Sequence, residues 1–243
     1  MTIQIARYTI IPAFMQMRGV TTRTAAAAIP WYLSGGIAAV NCLAAYTPKG
    51  ATSLAASYDN NAAPGNGLAD GTYDCTLGIA PGWDAVNGWI GNAANKYLKT
   101  GDLTPPLGAP TWSVLVRFAG TPANCLMGFR DQITPLMGAL NFYPSTGGRR
   151  YYRHGAPDGV SFIGGVASGV MGVAGSTPYL NGAAEAGNTG GTIDQTWPLL
   201  ILCFNNNGSP GAYTDASIQA IAVYDITLTG PQMAAVSAAM AAL

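Results

Sequence analysis

A chain of 243 residues is long enough to bury a substantial core, either as one large domain or as two smaller ones. Charged side chains make up only 9%, against about 25% in an ordinary soluble protein, and 11 basic residues balance 11 acidic ones. That balance leaves no electrostatic footprint for nucleic acid, and no apolar run reaches the roughly 18 residues that cross a bilayer, so neither nucleic-acid binding nor membrane insertion is expected.

The first 30 residues carry Ile3, Ile5, Tyr8, Ile10, Ile11, Phe14, Met15 and Met17, a density of apolar side chains that water does not leave exposed. Arg18 and Arg23 separate this patch from the alanines that follow, which argues against a cleavable secretion signal. Residues 1–30 are expected to form an arm that packs on a neighbouring subunit or an extra edge strand, with the main domain spanning 31–243. Zero net charge on a weakly charged surface promotes association, so a homo-oligomer is expected.

Short apolar runs then follow, separated by Gly, Asn and Pro. They include GWIGNAANKYL around Trp89 to Leu98, TWSVLVRF, CLMGF at Cys125 to Phe129, LMGALNF at Leu136 to Phe142, RRYYRHG at Arg149 to Gly155, TPYLNG at Thr177 to Gly182 and LLILCF at Leu199 to Phe204. In TWSVLVRF, strict alternation puts Trp112, Val114, Val116 and Phe118 on one face, and that face belongs in a core. The segments YRHG and YLNG end in residues that tolerate positive φ and read as hairpin tips. Many short strands between turn signals predict an all-β sandwich or barrel.

Cys42, Cys75, Cys125 and Cys203 are widely spaced, with no C-x-x-C pair and a single histidine in the chain, which excludes a zinc site. Without a secretion signal all four are expected to be reduced, a Cys42–Cys75 bridge being the alternative.

The end of the chain changes character at Thr229. From Ile218 to Ile226 both parities are apolar, so a strand covered on both faces is expected. The TGPQ that follows predicts a helix with Thr229 as N-cap, Pro231 in the first turn and Gln232 closing a capping box. Met233, Val236 and Met240 recur at helical spacing, a thin stripe able to lie closely on a sheet.

The run IQAIAVYDITLTGPQMAAV resembles the closing signature of concanavalin A-like, laminin-G-type jelly-roll domains, in which a strand leads into a short terminal helix. YLKTGDL followed by WSVLVRF, and YLNG, resemble two further features of that family, and the match covers Trp83 to Leu243. Gln232 stands where many members have Glu. The resemblance implies a jelly-roll β-sandwich with a short C-terminal helix. AYTPKGATSLAASYDNNAAPG and GWDAVNGWIG resemble the region preceding this domain in phage and environmental viral proteins.

Retaining glycosidases on this fold need two carboxylates about 5 Å apart, carried on one strand as Glu-x-Asp-x-Glu or a close variant. This chain has one glutamate, Glu185, in a Gly/Ala-rich loop, and no such triplet. His154 and Asp158 are the most reactive-looking neighbours, although a histidine at a hairpin tip bonded to a turn carboxylate is the ordinary arrangement. No cofactor is expected. Calcium is left open, since YDNN at Tyr58 to Asn61 and the loop from Asn205 to Asp215 supply oxygen ligands without a dense aspartate cluster. Tyr151, Tyr152, His154, Trp197 and Tyr213, beside predicted loops, are the candidate contacts for a glycan.

These features lead to the expectation of a non-enzymatic, virion-associated structural protein, a capsid decoration or tail component packed against other virion subunits. The alternative is an extracellular carbohydrate-binding module for attachment to host or matrix glycans. A glycoside hydrolase has less support.

Overall fold

The TWSVLVRF segment forms β6 (Ser113–Ala119), a central strand of one of two stacked sheets. The computed structural model describes residues 28–120, 122, 124–131, 139–155, 159–194 and 196–243. The expected arm over 1–30 therefore lies outside the described residues, apart from 28–30.

Among the described residues, the first sheet has eight strands. Its order is β13 (Ala183–Ala184), β12 (Thr177–Leu180), β11 (Ser168–Ala174), β6, β17 (Ser217–Tyr224), β4 (Gly88–Ile90) and β3 (Gly82–Asp84), with β1 (Cys42–Tyr46) also on β17. The second sheet has nine strands: β10 (Val160–Ile163), β9 (Arg149–Gly155), β8 (Ala139–Thr146), β7 (Met127–Arg130), β14 (Leu200–Ile201), β5 (Tyr97–Lys99) and β2 (Thr76–Ile79). The hairpin β15 (Phe204–Asn206) and β16 (Ser209–Gly211) joins it, β15 running parallel to β7. The chain is an all-β sandwich closed by one C-terminal helix, α1 (Gly230–Ala242).

The alternation read in β6 is the alternation of the core. Trp112, Val114, Val116 and Phe118 pack between the sheets against Leu140, Phe142 and Tyr152 of the facing sheet. The opposite parity is buried too, because a second apolar cluster joins Leu115, Ala220, Ala222 and Tyr224 to Met233, Val236 and Met240 of the helix. The β17 segment is thus covered on both faces, as its composition requires.

Thr229 and Gln232 form the capping box, the Gln232 Oε1 accepting from the Thr229 N–H at 2.9 Å. At the other helix end, the Arg117 guanidinium donates to the Met240 carbonyl, so a strand side chain satisfies a carbonyl of the last turn. Small residues let the helix sit low: a Cβ added to Gly182 would lie 2.8 Å from the Ala234 Cα. Gly182 also has φ +81°, and with Asn181 at φ 50° it makes the tight β12–β13 hairpin that YLNG predicts. Residues 31–33 dock beside the helix, where the Tyr224 hydroxyl donates to the Tyr32 carbonyl at 2.7 Å.

Three segments differ from expectation. GWIGNAANKYL is two strands, β4 and β5, one in each sheet, split by a turn in which the Asn92 Oδ1 accepts from the N–H groups of Ala94, Asn95 and Lys96. LLILCF breaks between β14 and β15 at Leu202, which takes φ 68°. YRHG precedes a hairpin connection and does not form its tip: His154 lies within β9 opposite Leu140, and β9 runs to Gly155 before the chain returns as antiparallel β10.

All four cysteines are free thiols and buried. Burial pushes each of them up, Cys125 to about 12 and the other three further.

Candidate functional site

The helix covers the outer side of the eight-stranded sheet, whereas the outer side of the nine-stranded sheet holds a cavity of about 400 Å³. Arg130 from β7, Tyr143 and Thr146 from β8, Arg149 and Arg153 from β9 and Ser161 from β10 line it. Register explains their convergence. Asn141 pairs with Arg153, Thr146 with Arg149, Arg130 with Ala139, and Ser161 with Tyr151, whose other neighbour is Tyr143. Cross-strand partners share a face, so the four strands deliver these side chains to one surface.

The same alternation sends the intervening residues inward. Tyr152 and His154 lie in the interior and Arg150 is half-buried beside them, so RRYYRHG serves two environments at once. The Arg150 guanidinium grips the sole glutamate, its Nε lying 2.9 Å from Glu185 Oε1 and 3.0 Å from Oε2. The Tyr152 hydroxyl donates to Glu185 Oε2 at 2.7 Å, and the Arg150 guanidinium stacks 4.9 Å from the centre of the Phe162 ring. Hydrogen bonding to Glu185 raises the Arg150 pKa, while burial, and then Glu185, raise that of Tyr152. Glu185 is thereby a structural carboxylate that ties β9 to the segment following β13. Among the described residues no carboxylate lines the cavity.

Arg130, Tyr143, Thr146 and Arg153 each interact with neighbouring groups. Tyr143 and Arg153 both act on the buried Cys125 thiol, opposing the upward push of burial. Asn141, directly opposite Arg153 and two residues from Tyr143, is 0% exposed, and neither of its amide atoms has a hydrogen-bond partner.

The five expected glycan contacts are not brought together. Tyr151 is placed by its backbone between Tyr143 and Ser161. Tyr152 and His154 are corrected as ligand contacts, since both are fully buried in the sandwich. Trp197 packs against the core and against the Gly208 turn, whereas Tyr213 pairs with the Tyr97 ring, centroids 6.2 Å apart. Asp158 of the expected His154–Asp158 pair lies outside the described residues. Strict parity in RRYYRHG is the signal that singles out Arg149 and Arg153, and the expectation of a hairpin tip at YRHG conceals it.

The stretches weighed for calcium are occupied with bracing the backbone. Asn60 accepts from the N–H groups of Ala45 and Ala62 and donates to the carbonyls of Leu43 and Thr72. Asn205 likewise donates to the Pro198 carbonyl and accepts from Gly208. Asp59, Asp70 and Asp74 line a polar cleft of about 530 Å³ with Asn60 and Asn61. Among the described residues, no group of three or more His, Cys, Asp or Glu side chains is disposed to hold a metal ion.

No family model matches the chain, and no curated protein does. Solved structures do. Domain 4 of a GH43 extracellular arabinanase from Geobacillus stearothermophilus, in complex with arabinotriose, is similar over 81% of this chain and 98% of its own, with a TM-score of 0.53 at 12% identity. A Trypanosoma rangeli sialidase in complex with sialic acid is similar over 79% of this chain and 32% of its own, with a TM-score of 0.49 at 11% identity. A Streptococcus pneumoniae sialidase matches 51% of this chain and 23% of its own, with a TM-score of 0.36 at 12% identity. The chain thus spans a third or less of the sialidases that it matches.

At such identity the arabinanase domain carries the fold, an all-β sandwich matched along nearly the whole of a sugar-bound domain. It overturns the expected virion-associated structural role. That expectation rested on segments such as YDNN and GWDAVNGWIG, and here they are determinants of the sandwich itself. Asn60 braces β1, and the fully buried Trp89 donates to the Ser57 hydroxyl at 2.7 Å.

Proposed function

We propose that this chain is a non-catalytic carbohydrate-binding domain. The observation that carries the reading is the cavity on the outer side of the nine-stranded sheet, where four adjacent strands converge Tyr143, Thr146, Ser161 and three arginines. Its volume of about 400 Å³ falls in the range of roughly 300–1,000 Å³ typical of ligand sites. A tyrosine supplies a ring for a pyranose or furanose face, and hydroxyls and guanidiniums supply directional hydrogen bonds. A domain of similar fold was solved with arabinotriose bound.

The non-catalytic part of the reading is supported by Glu185, which retaining chemistry would need close to a second carboxylate. It is instead held by Arg150 and Tyr152.

Screening the protein on a glycan array, followed by calorimetry on the hits, tests the proposal. Binding that weakens about tenfold or more in Tyr143→Ala, with melting unchanged, is the expected result. A folded protein that binds no glycan would sink it.

A further inference from the structure

We infer that the cavity selects an acidic oligosaccharide, one carrying a carboxylate or sulfate, an inference that rests on the carbohydrate-binding reading. Charge supplies the first argument. The chain has only 11 basic residues, yet Arg130, Arg149 and Arg153 line one cavity of about 400 Å³, and among the described residues no Asp or Glu joins them. Aspartates gather elsewhere, in the cleft of Asp59, Asp70 and Asp74.

Donor chemistry supplies the second. A neutral sugar presents hydroxyls that must both give and accept protons, so a site for it needs acceptors among its contacts. Each guanidinium offers five donors and no acceptor, in a fork that matches two oxygens of a carboxylate or sulfate. Against three such groups the lining offers only the hydroxyl oxygens of Tyr143, Thr146 and Ser161 as side-chain acceptors. The set is complementary to an anion flanked by a few sugar hydroxyls.

Construction supplies the third. Arg149 and Arg150 are consecutive, but alternation commits Arg150 to Glu185 and delivers Arg149 to the cavity. Arg130 and Arg153 each interact with other groups of the chain as well. Asn141 adds a buried amide with both atoms unpartnered, opposite Arg153 in register. Such groups are ordinarily satisfied in folded proteins, and this one, on the strand face that carries the cavity, marks a place for a buried water.

Calorimetry on the full chain with three probes decides the matter: trigalacturonate for the carboxylate, a sulfated galactose trisaccharide for the sulfate, and arabinotriose as the neutral reference. At least one acidic probe is expected to bind about tenfold or more tighter than arabinotriose, with affinity falling as salt rises from about 20 to about 300 mM. Arg149→Gln, at an exposed hairpin position, should abolish that preference at unchanged melting temperature, and Arg149→Lys should restore part of it. Equal affinity for arabinotriose and the acidic probes, or a preference that Arg149→Gln leaves intact, overturns the inference while leaving a sugar site standing. Failure of all three probes together with a blank glycan array overturns both.

Discussion

The Nδ1 atom of His154 lies 2.7 Å from the carbonyl oxygen of Gly175, joining the nine-stranded sheet to the β11–β12 turn of the other. A carbonyl only accepts, so Nδ1 carries a proton and donates it. Its Nε2 is buried without a partner. Burial lowers the pKa from 6.5 to about 4, the hydrogen bond to Gly175 opposing only in part.

That shift gives stability a pH dependence with a definite sign. The unfolded chain takes up a proton near pH 6.5, whereas the folded chain resists until about pH 4. Stability from this residue is therefore present in full above pH 6.5 and is lost as pH falls from 6.5 to 4, by on the order of 3 kcal/mol. Urea denaturation of the wild type and His154→Gln at pH 7, 5 and 4 should show a flatter profile for the variant. Parallel profiles would mean that the histidine titrates normally in the folded state.

Glu185→Gln removes the charge from the clamp that Arg150 and Tyr152 make around it. The side chains of Arg150 and Glu185 are 16% and 11% exposed, so solvent screens the pair only weakly. A loss of about 2 kcal/mol is expected, with Glu185→Gln and Tyr152→Phe coupling in a double-mutant cycle. Additive effects would show that the tyrosine contributes nothing through the carboxylate.

Trp112→Ala empties a site between the sheets, where the indole is 5% exposed. It should cost on the order of 3–5 kcal/mol, read from the denaturation midpoint at constant slope. A near-native midpoint would contradict the packing described.

Gly182→Ala meets two obstacles, a left-handed backbone and an approach of 2.8 Å to the Ala234 Cα. The conformation alone is worth about 1–2 kcal/mol, and the helix must also lift. Melting should fall, and the amides of Ala234 to Ser237 should exchange faster than in the wild type. Exchange confined to the β12–β13 turn would mean that the helix does not rest on the glycine.

Legibility followed the strength of local rules. Alternation in β6, the capping box at Thr229, the Met233, Val236 and Met240 stripe and the Asn181–Gly182 turn all have short-range physical causes, and the structure contains each of them. The division of GWIGNAANKYL and LLILCF between strands was not visible, because it depends on which sheet each fragment joins. The cavity is hidden for the same reason: Arg130, Tyr143, Arg153 and Ser161 sit on four strands, and only pairing brings them together. Tyr152 and His154 were legible as chemistry but not as interior residues, since the turn-forming composition of YRHG hides that β9 continues through His154 to Gly155.

The four buried thiols give the protein a set of internal clocks. Three parts of the fold shield them: the layer under the helix covers Cys42, the space between the sheets covers Cys75, and the nine-stranded sheet around β7 and β15 covers Cys125 and Cys203 together. A thiol-reactive reagent reaches each only when its region opens, so modification rates, resolved by mass, report the opening free energies of three regions without any introduced label. Ligand seated on Arg153 and Tyr143, both beside Cys125, should slow that clock while leaving the one at Cys42 running at its own pace.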